Sequence, residues 1–214
     1  MTIEQYVKER EIAILTHFTR IDNLPSIMQH GLCVPSVCTS SKLKPVCNDN
    51  YRHDGADAVC TTVTVPNYKM FFPLRKNAPA GTNWVVIAIN PAILWQTDCA
   101  FCVTNAASGT VTAIPLAQRK GLDAMKKMFA DYPGKARAEL DIPNNFTTNP
   151  QAEVLLLGGV PLNYFYGLIF NTSNLAAEYK AKYEGRPPLH THIKTYHLPS
   201  FFQPRKDYGH WQNG

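Results

Sequence analysis

The chain has 214 residues, 45% hydrophobic and 17% charged, which is long and apolar enough for a buried core and excludes a disordered tail. Twenty-one basic against 16 acidic side chains leave a net charge of +5, too little for a histone-like polycation but enough to favour a polyanionic partner if the charges cluster. Six cysteines are too sparse for a disulfide-stapled miniprotein, no signal-peptide pattern opens the chain, and its longest apolar runs fall far short of the roughly 20 residues of a bilayer span, so a reducing cytoplasm is the expected compartment.

Residues 2–11 set Ile3, Tyr6 and Val7 among charges at helical spacing, and Ile12 to Leu15 reads as a short buried strand with His17 at its end. Asn23, Pro25 in the first turn and Gly31 at the close bracket a helix. Residues 33–50 lack periodicity and hold three cysteines, so a long loop is expected there. Ala58 to Val65 reads as a strand stopped by Pro66, Trp84 to Asn90 as a β-branched buried strand, Pro91 to Leu94 as a helical turn, and Cys99 to Val103 as a short strand. A small, polar surface loop over 104–115 leads to a helix over 116–132. The turn-rich stretch 141–150 feeds a core strand, Ala152 to Leu157, and Tyr164 to Phe170 and Ser173 to Tyr183 predict one more strand and a helix. Many short strands with a few peripheral helices favour a mixed α+β fold in a single domain over 1–214, whose residues 186–214 form a C-terminal tail carrying four histidines.

Glu153 stands out, because an ionised carboxylate beside Val154-Leu-Leu-Leu157 is costly to bury unless it is partnered or faces a cleft. A solvated Glu on a half-exposed strand is the open alternative. His17, next to a capped helix, sits where polar groups meet ligands, although a lone histidine there is more often structural. No GxGxxG or GxxxxGK[ST] is present, so Rossmann and P-loop nucleotide binding have no support. Cys99-Ala-Phe-Cys102 and Cys33-x4-Cys38 lack the repeated pairs of a zinc ribbon, so no metal is expected and buried thiols are the simpler reading. Tyr68-Lys-Met-Phe-Phe72 with Arg75 and Lys76 interleaves aromatic rings and cations, as single-strand nucleic-acid binders do, or else forms an aromatic core strand with solvated ends.

Four stretches together resemble one family: Leu15-Thr-His-Phe-Thr-Arg-Ile-Asp-Asn-Leu-Pro-Ser-Ile-Met-Gln-His-Gly-Leu32, Pro66-Asn-Tyr-Lys-Met-Phe-Phe72, Asn105-Ala-Ala-Ser108 and Asn149-Pro-Gln-Ala-Glu-Val-Leu155. They are similar to the DarT family of DNA ADP-ribosyltransferase toxins, over residues 12 to 170, and the run at Tyr68 is closer to the guanine-modifying branch than to the thymine-modifying one. The resemblance implies an ADP-ribosyltransferase-like split β-sheet core with peripheral helices that grips NAD+ as co-substrate. It implies that Glu153 and Arg52 are catalytic, and that His17, Thr19, Asn23, Arg52 and Tyr68 hold NAD+, with Arg52 near the phosphates and Tyr68 beside the nicotinamide. A neutralising antitoxin partner is also implied.

Such a carboxylate stabilises an oxocarbenium-like ribose and orients or deprotonates the attacking base. The acceptor, single-stranded DNA, is expected to meet Lys69, Arg75, Asn144, Asn145 and Phe146, the last three in the loop before Glu153. RNA as acceptor, a polypeptide as acceptor and a catalytically inactive nucleic-acid-binding module are the alternatives. Around Arg52 and in loop 141–150 the chain departs from the arginine-rich pattern of the family, and its residues from Arg186 onward lie outside the resemblance.

Overall fold

The structure is a computed structural model that describes residues 1–47, 56–184 and 192–212. Helix α1 (Ile3–Glu9) opens with a capping box in which Thr2 and Gln5 satisfy each other's backbone donors. Glu11, at φ +55°, turns the chain off this helix so that the Ile12 amide reaches the Val7 carbonyl at 3.0 Å. The strand expected at Ile12 therefore starts at Leu15. β1 (Leu15–Arg20) carries His17 within it, not beyond its end.

α2 (Leu24–His30) runs as its Pro and Gly signals predict, and Gly31 closes it at φ +76°. The expected loop after it contains a short helix, α3 (Pro35–Ser40), started by Pro35. β2 (Val59–Val63) follows. The aromatic run is a helix, α4 (Tyr68–Lys76), because the Asn67 side chain accepts from the Met70 amide and caps it. Phe71 points inward, stacked on Phe18 at 4.3 Å and packed near Trp84 and Phe202. A core strand here is thereby replaced by a helix whose one buried ring does the packing.

β3 (Trp84–Ile89) is buried at every residue, since its alternate side chains enter two hydrophobic clusters on opposite faces. α5 (Ile93–Gln96) and β4 (Cys99–Cys102) come next, and the 104–115 loop holds one helical turn, α6 (Gly109–Thr112). The helix expected over 116–132 is broken. Gly121 at φ +82° separates a 3-10 turn at Leu116–Arg119 from α7 (Gly121–Lys127). β5 (Glu153–Leu156), β6 (Phe165–Phe170) and α8 (Ser173–Tyr183) match their sequence patterns. Part of the tail is structural, for β7 (Lys194–His197) pairs in parallel with β6, and 3-10 turns follow at Pro199–Phe202 and Lys206–Trp211, with Phe202 and Trp211 buried.

The strands form one mixed sheet in the order β4-β5-β2-β1-β3-β6-β7, with helices around it. All neighbouring pairs but β6 and β7 are antiparallel. β1 pairs with β3 along its whole length, from Leu15↔Ile89 to Arg20↔Trp84, yet with β2 only at Leu15↔Val63 and Thr16↔Thr62. The sheet splits at that point. No helix among the described residues is long and apolar enough to cross a membrane.

Candidate active site

The last rung before the split is a side-chain one. The Thr62 hydroxyl donates to the Val65 carbonyl at 2.8 Å, so its partner Thr16, 2.8 Å away, is the donor in the Thr16–Thr62 pair. One residue further on, Nδ1 of His17 meets the Cys60 carbonyl at 2.8 Å. A carbonyl only accepts, so Nδ1 carries the proton in this bond.

Beyond these contacts β1 and β2 diverge around a cavity of about 260 Å³. Its walls come from β1, β2, α2, α3 and the strap Leu43–Cys47, and Met70 of α4, Asn105 and Glu153 complete it. The strap is tied down by Asn23, which is buried. Its amide donates to the Val46 carbonyl at 3.0 Å and to the Thr19 hydroxyl at 2.9 Å, while its oxygen accepts from the Val46 amide at 2.7 Å.

Glu153 is 5% exposed and lines this cavity, so it is neither solvated nor outward-facing. Paired with Cys102 at the start of β5, it lies beside the 105–107 turn. Its Oε2 accepts from the Ala106 amide at 2.7 Å and Oε1 from Asn105 Nδ2 at 3.3 Å. Those donors offset the desolvation of an ionised carboxylate. Asn105 in turn accepts from the Ala107 amide at 3.0 Å, a local turn that aims both donors at Glu153. Burial pushes the Cys33 and Cys38 thiols up from their ordinary range, and Cys38 is raised further by Cys33, Cys47 and Asp57, so this part of the wall stays uncharged at neutral pH. Lys44 is the one lysine or arginine in the lining among the described residues.

The structure thus brings His17, Thr19, Asn23 and Glu153 to one cavity. Arg52 lies outside the described residues. Tyr68 does not line the cavity. Its hydroxyl is buried with no hydrogen-bond partner among the described residues, and burial together with the Asp207 charge, partly opposed by Arg205, pushes its pKa up to about 12. The expected nucleic-acid contacts are engaged elsewhere. Lys69 donates to the Trp211 carbonyl at 2.8 Å, and Arg75 donates to the Phe202 carbonyl at 2.6 Å with its guanidinium over the Phe71 and Phe202 rings. Asn144 and Asn145 donate to the Glu9 and Glu11 carbonyls, and the Phe146 ring lies 5.3 Å from the Arg205 guanidinium. The four polar side chains among them satisfy backbone carbonyls.

Sequence reasoning passed over Asn105, Lys44, Arg137 and Arg205 as site residues. Asn105 carried a signal, since it opens one of the four stretches quoted above. Arg205 meets its carbonyl partners 57 and 58 residues away, which no local pattern reveals.

Comparison with known proteins accords with this geometry. No curated protein matches the chain by sequence. The structure is similar to Thermus sp. 2.9 DarT in complex with carba-NAD+ (TM-score 0.58, 14% identity, 90% of this chain and 99% of that one). It is likewise similar to the same protein with ADP-ribosylated ssDNA (0.57, 16%, 90% and 97%). Thermosipho africanus DarTG in complex with ADP-ribose gives a TM-score of 0.56 at 17% identity, with 89% of this chain covered. The chain spans 51% of that protein's length. These likenesses show a shared α+β fold. The model of the family described as "ssDNA thymidine ADP-ribosyltransferase, DarT" matches residues 16–202, which extends the resemblance well past residue 170 and into the tail. With nearly nine-tenths of its length inside that model and its strands in the same architecture, the chain belongs to the DarT family.

Proposed function

We propose that the chain binds NAD+ in the cavity at the sheet split and transfers its ADP-ribose unit to a base of single-stranded DNA, with Glu153 as the catalytic carboxylate. The observation that carries this reading is Glu153 itself, a carboxylate buried to 5% exposure, held by Ala106 and Asn105 and lining the cavity at the sheet split. Membership of the family and the nucleotide and DNA ligands of its solved members support the two substrates.

The chemistry follows from the site. As the bond between the nicotinamide nitrogen and ribose C1′ breaks, positive charge develops on the ribose and a fixed carboxylate stabilises it. Nicotinamide leaves as a neutral molecule, a base nitrogen forms the new bond to C1′, and the proton it sheds passes to Glu153. His17 and Thr19 offer hydrogen bonds to the adenosine side, Asn23 fixes the strap over it, and Arg52 and Lys44 supply cations for the pyrophosphate. A neutralising antitoxin restrains the activity in a reducing cytoplasm, where the six free cysteines stay reduced.

Labelled NAD+ incubated with matched DNA and RNA oligonucleotides tests the reading. Label is expected on DNA, with thymidine the first base to examine and guanine the second. It is lost in Glu153→Ala. Label on RNA alone or on a polypeptide, or full transfer by Glu153→Ala, overturns it.

A further inference from the structure

The loop leading into Glu153 has no regular backbone pairing, so its carbonyls need partners from elsewhere. Six consecutive ones, from Pro143 to Thr148, each accept a side-chain hydrogen bond. Arg137 donates to Pro143 at 3.0 Å, Asn144 at 3.2 Å and Phe146 at 2.7 Å. The Thr64 hydroxyl serves Asn145 at 2.9 Å. Arg205 donates to Thr147 at 2.8 Å and Thr148 at 3.3 Å.

Arg205 is itself fixed with unusual completeness. Its Nε and Nη2 form a two-point contact with the Asp207 carboxylate at 2.9 and 2.7 Å, and Trp211 Nε1 donates to the same carboxylate at 2.9 Å. The side chains of Arg205 and Asp207 are 3% and 0% exposed. A buried pair of this kind gains little net stability over apolar residues, but it fixes geometry because any displacement strands a desolvated charge. From the clamp the hydrogen bonds run on without a gap. Thr147 Oγ1 donates to the Asn149 carbonyl, Asn149 Oδ1 accepts from Gln151, and the Ala152 amide returns to Asn149, one residue before Glu153. None of residues 141–150 lines the cavity.

We propose that Arg205, held by Asp207 and working with Arg137, is a positioning residue that sets loop 143–148 for the acceptor strand and leaves the NAD+ cavity untouched. The C-terminal segment is then part of the transfer machinery. This inference rests on the function proposed above, and its signature is a separation between the two substrates. A merely structural pair would weaken both together.

The test uses the full chain with Arg205→Lys, which keeps the charge but loses the planar fork, and Arg137→Lys, whose half-buried site places less burden on folding. NAD+ affinity is measured by titration and transfer by label incorporated into single-stranded DNA. We expect kcat/KM for the oligonucleotide to fall at least about tenfold in each variant while the NAD+ Kd stays within about twofold. If Arg205→Lys does not fold, Arg137→Lys decides by the same two readouts. Transfer at the wild-type rate, or NAD+ affinity lost in step with transfer, overturns the clamp. The wild-type protein separates the two ideas, since no label on DNA from it would defeat the proposed function and leave nothing for the clamp to position.

Discussion

Nδ1 of His17 lies 2.8 Å from the Cys60 carbonyl, one residue past the last paired position of β1 and β2. The bond takes over a carbonyl that the diverging ladder leaves behind, so the same side chain closes the split and faces the cavity that the split creates. His17→Ala removes that bond and takes the imidazole out of the cavity wall. NAD+ affinity in a titration should fall by about tenfold or more, roughly 1.4 kcal/mol. An unchanged Kd would remove His17 from the binding site.

Asn23→Ala releases the strap by deleting both hydrogen bonds to Val46 and the one to Thr19. Protein stability should drop by about 1–2 kcal/mol, as expected for lost buried hydrogen bonds. KM for NAD+ should rise with kcat little altered, because the strap shapes a wall and does not touch the reacting bond. Steady-state kinetics checks this, and a fall in kcat at constant KM would contradict it.

Alkaline pH should loosen the fold through two acids. Burial and the neighbouring Asp98, partly opposed by Lys120, raise Cys99 from 9.0 to about 12, and Tyr68 is raised from 10.0 to about 12. The folded state holds both protons more tightly than the unfolded chain. The associated stability is therefore complete below pH 9.0 and is lost as pH climbs towards about 12. Urea midpoints at a series of pH values should decline above pH 9.0 in the wild type and more gently in Cys99→Ala with Tyr68→Phe. Equal slopes in the two proteins would point to other groups.

Gly159 and Gly31 let two segments touch back to back. Leu32 and Val160 exchange hydrogen bonds of 2.9 and 2.8 Å, and a Cβ on Gly159, at φ +79°, would sit 2.5 Å from the Leu32 carbonyl oxygen. Gly159→Ala combines that clash with left-handed strain and should cost about 2–4 kcal/mol. Gly81→Ala, at φ +84° in open space, meets only the strain and should cost about 1 kcal/mol. Thermal or denaturant melts of the two variants give the comparison, and equal losses would show that packing at Leu32 is not the issue.

Several features were legible in the sequence because their signals are local. β3 is readable from six consecutive residues that are apolar throughout, and α2 from Asn23, Pro25 and Gly31 at fixed offsets. Glu153 was conspicuous as a charge at the head of an apolar strand, and the four family-like stretches pointed to the family that the chain belongs to. What only the tertiary structure decided depends on contacts between distant residues. The cavity exists because β1 stops pairing with β2 after Thr16, and the partners there are 46 residues apart. The aromatic run became a helix once Asn67 capped it and Phe71 found Phe18 and Phe202. The Thr147 and Thr148 carbonyls of the loop are held by Arg205, 58 and 57 residues away. Periodicity and capping act within a few residues, whereas the satisfaction of buried polar groups is settled only when the whole chain has closed around them.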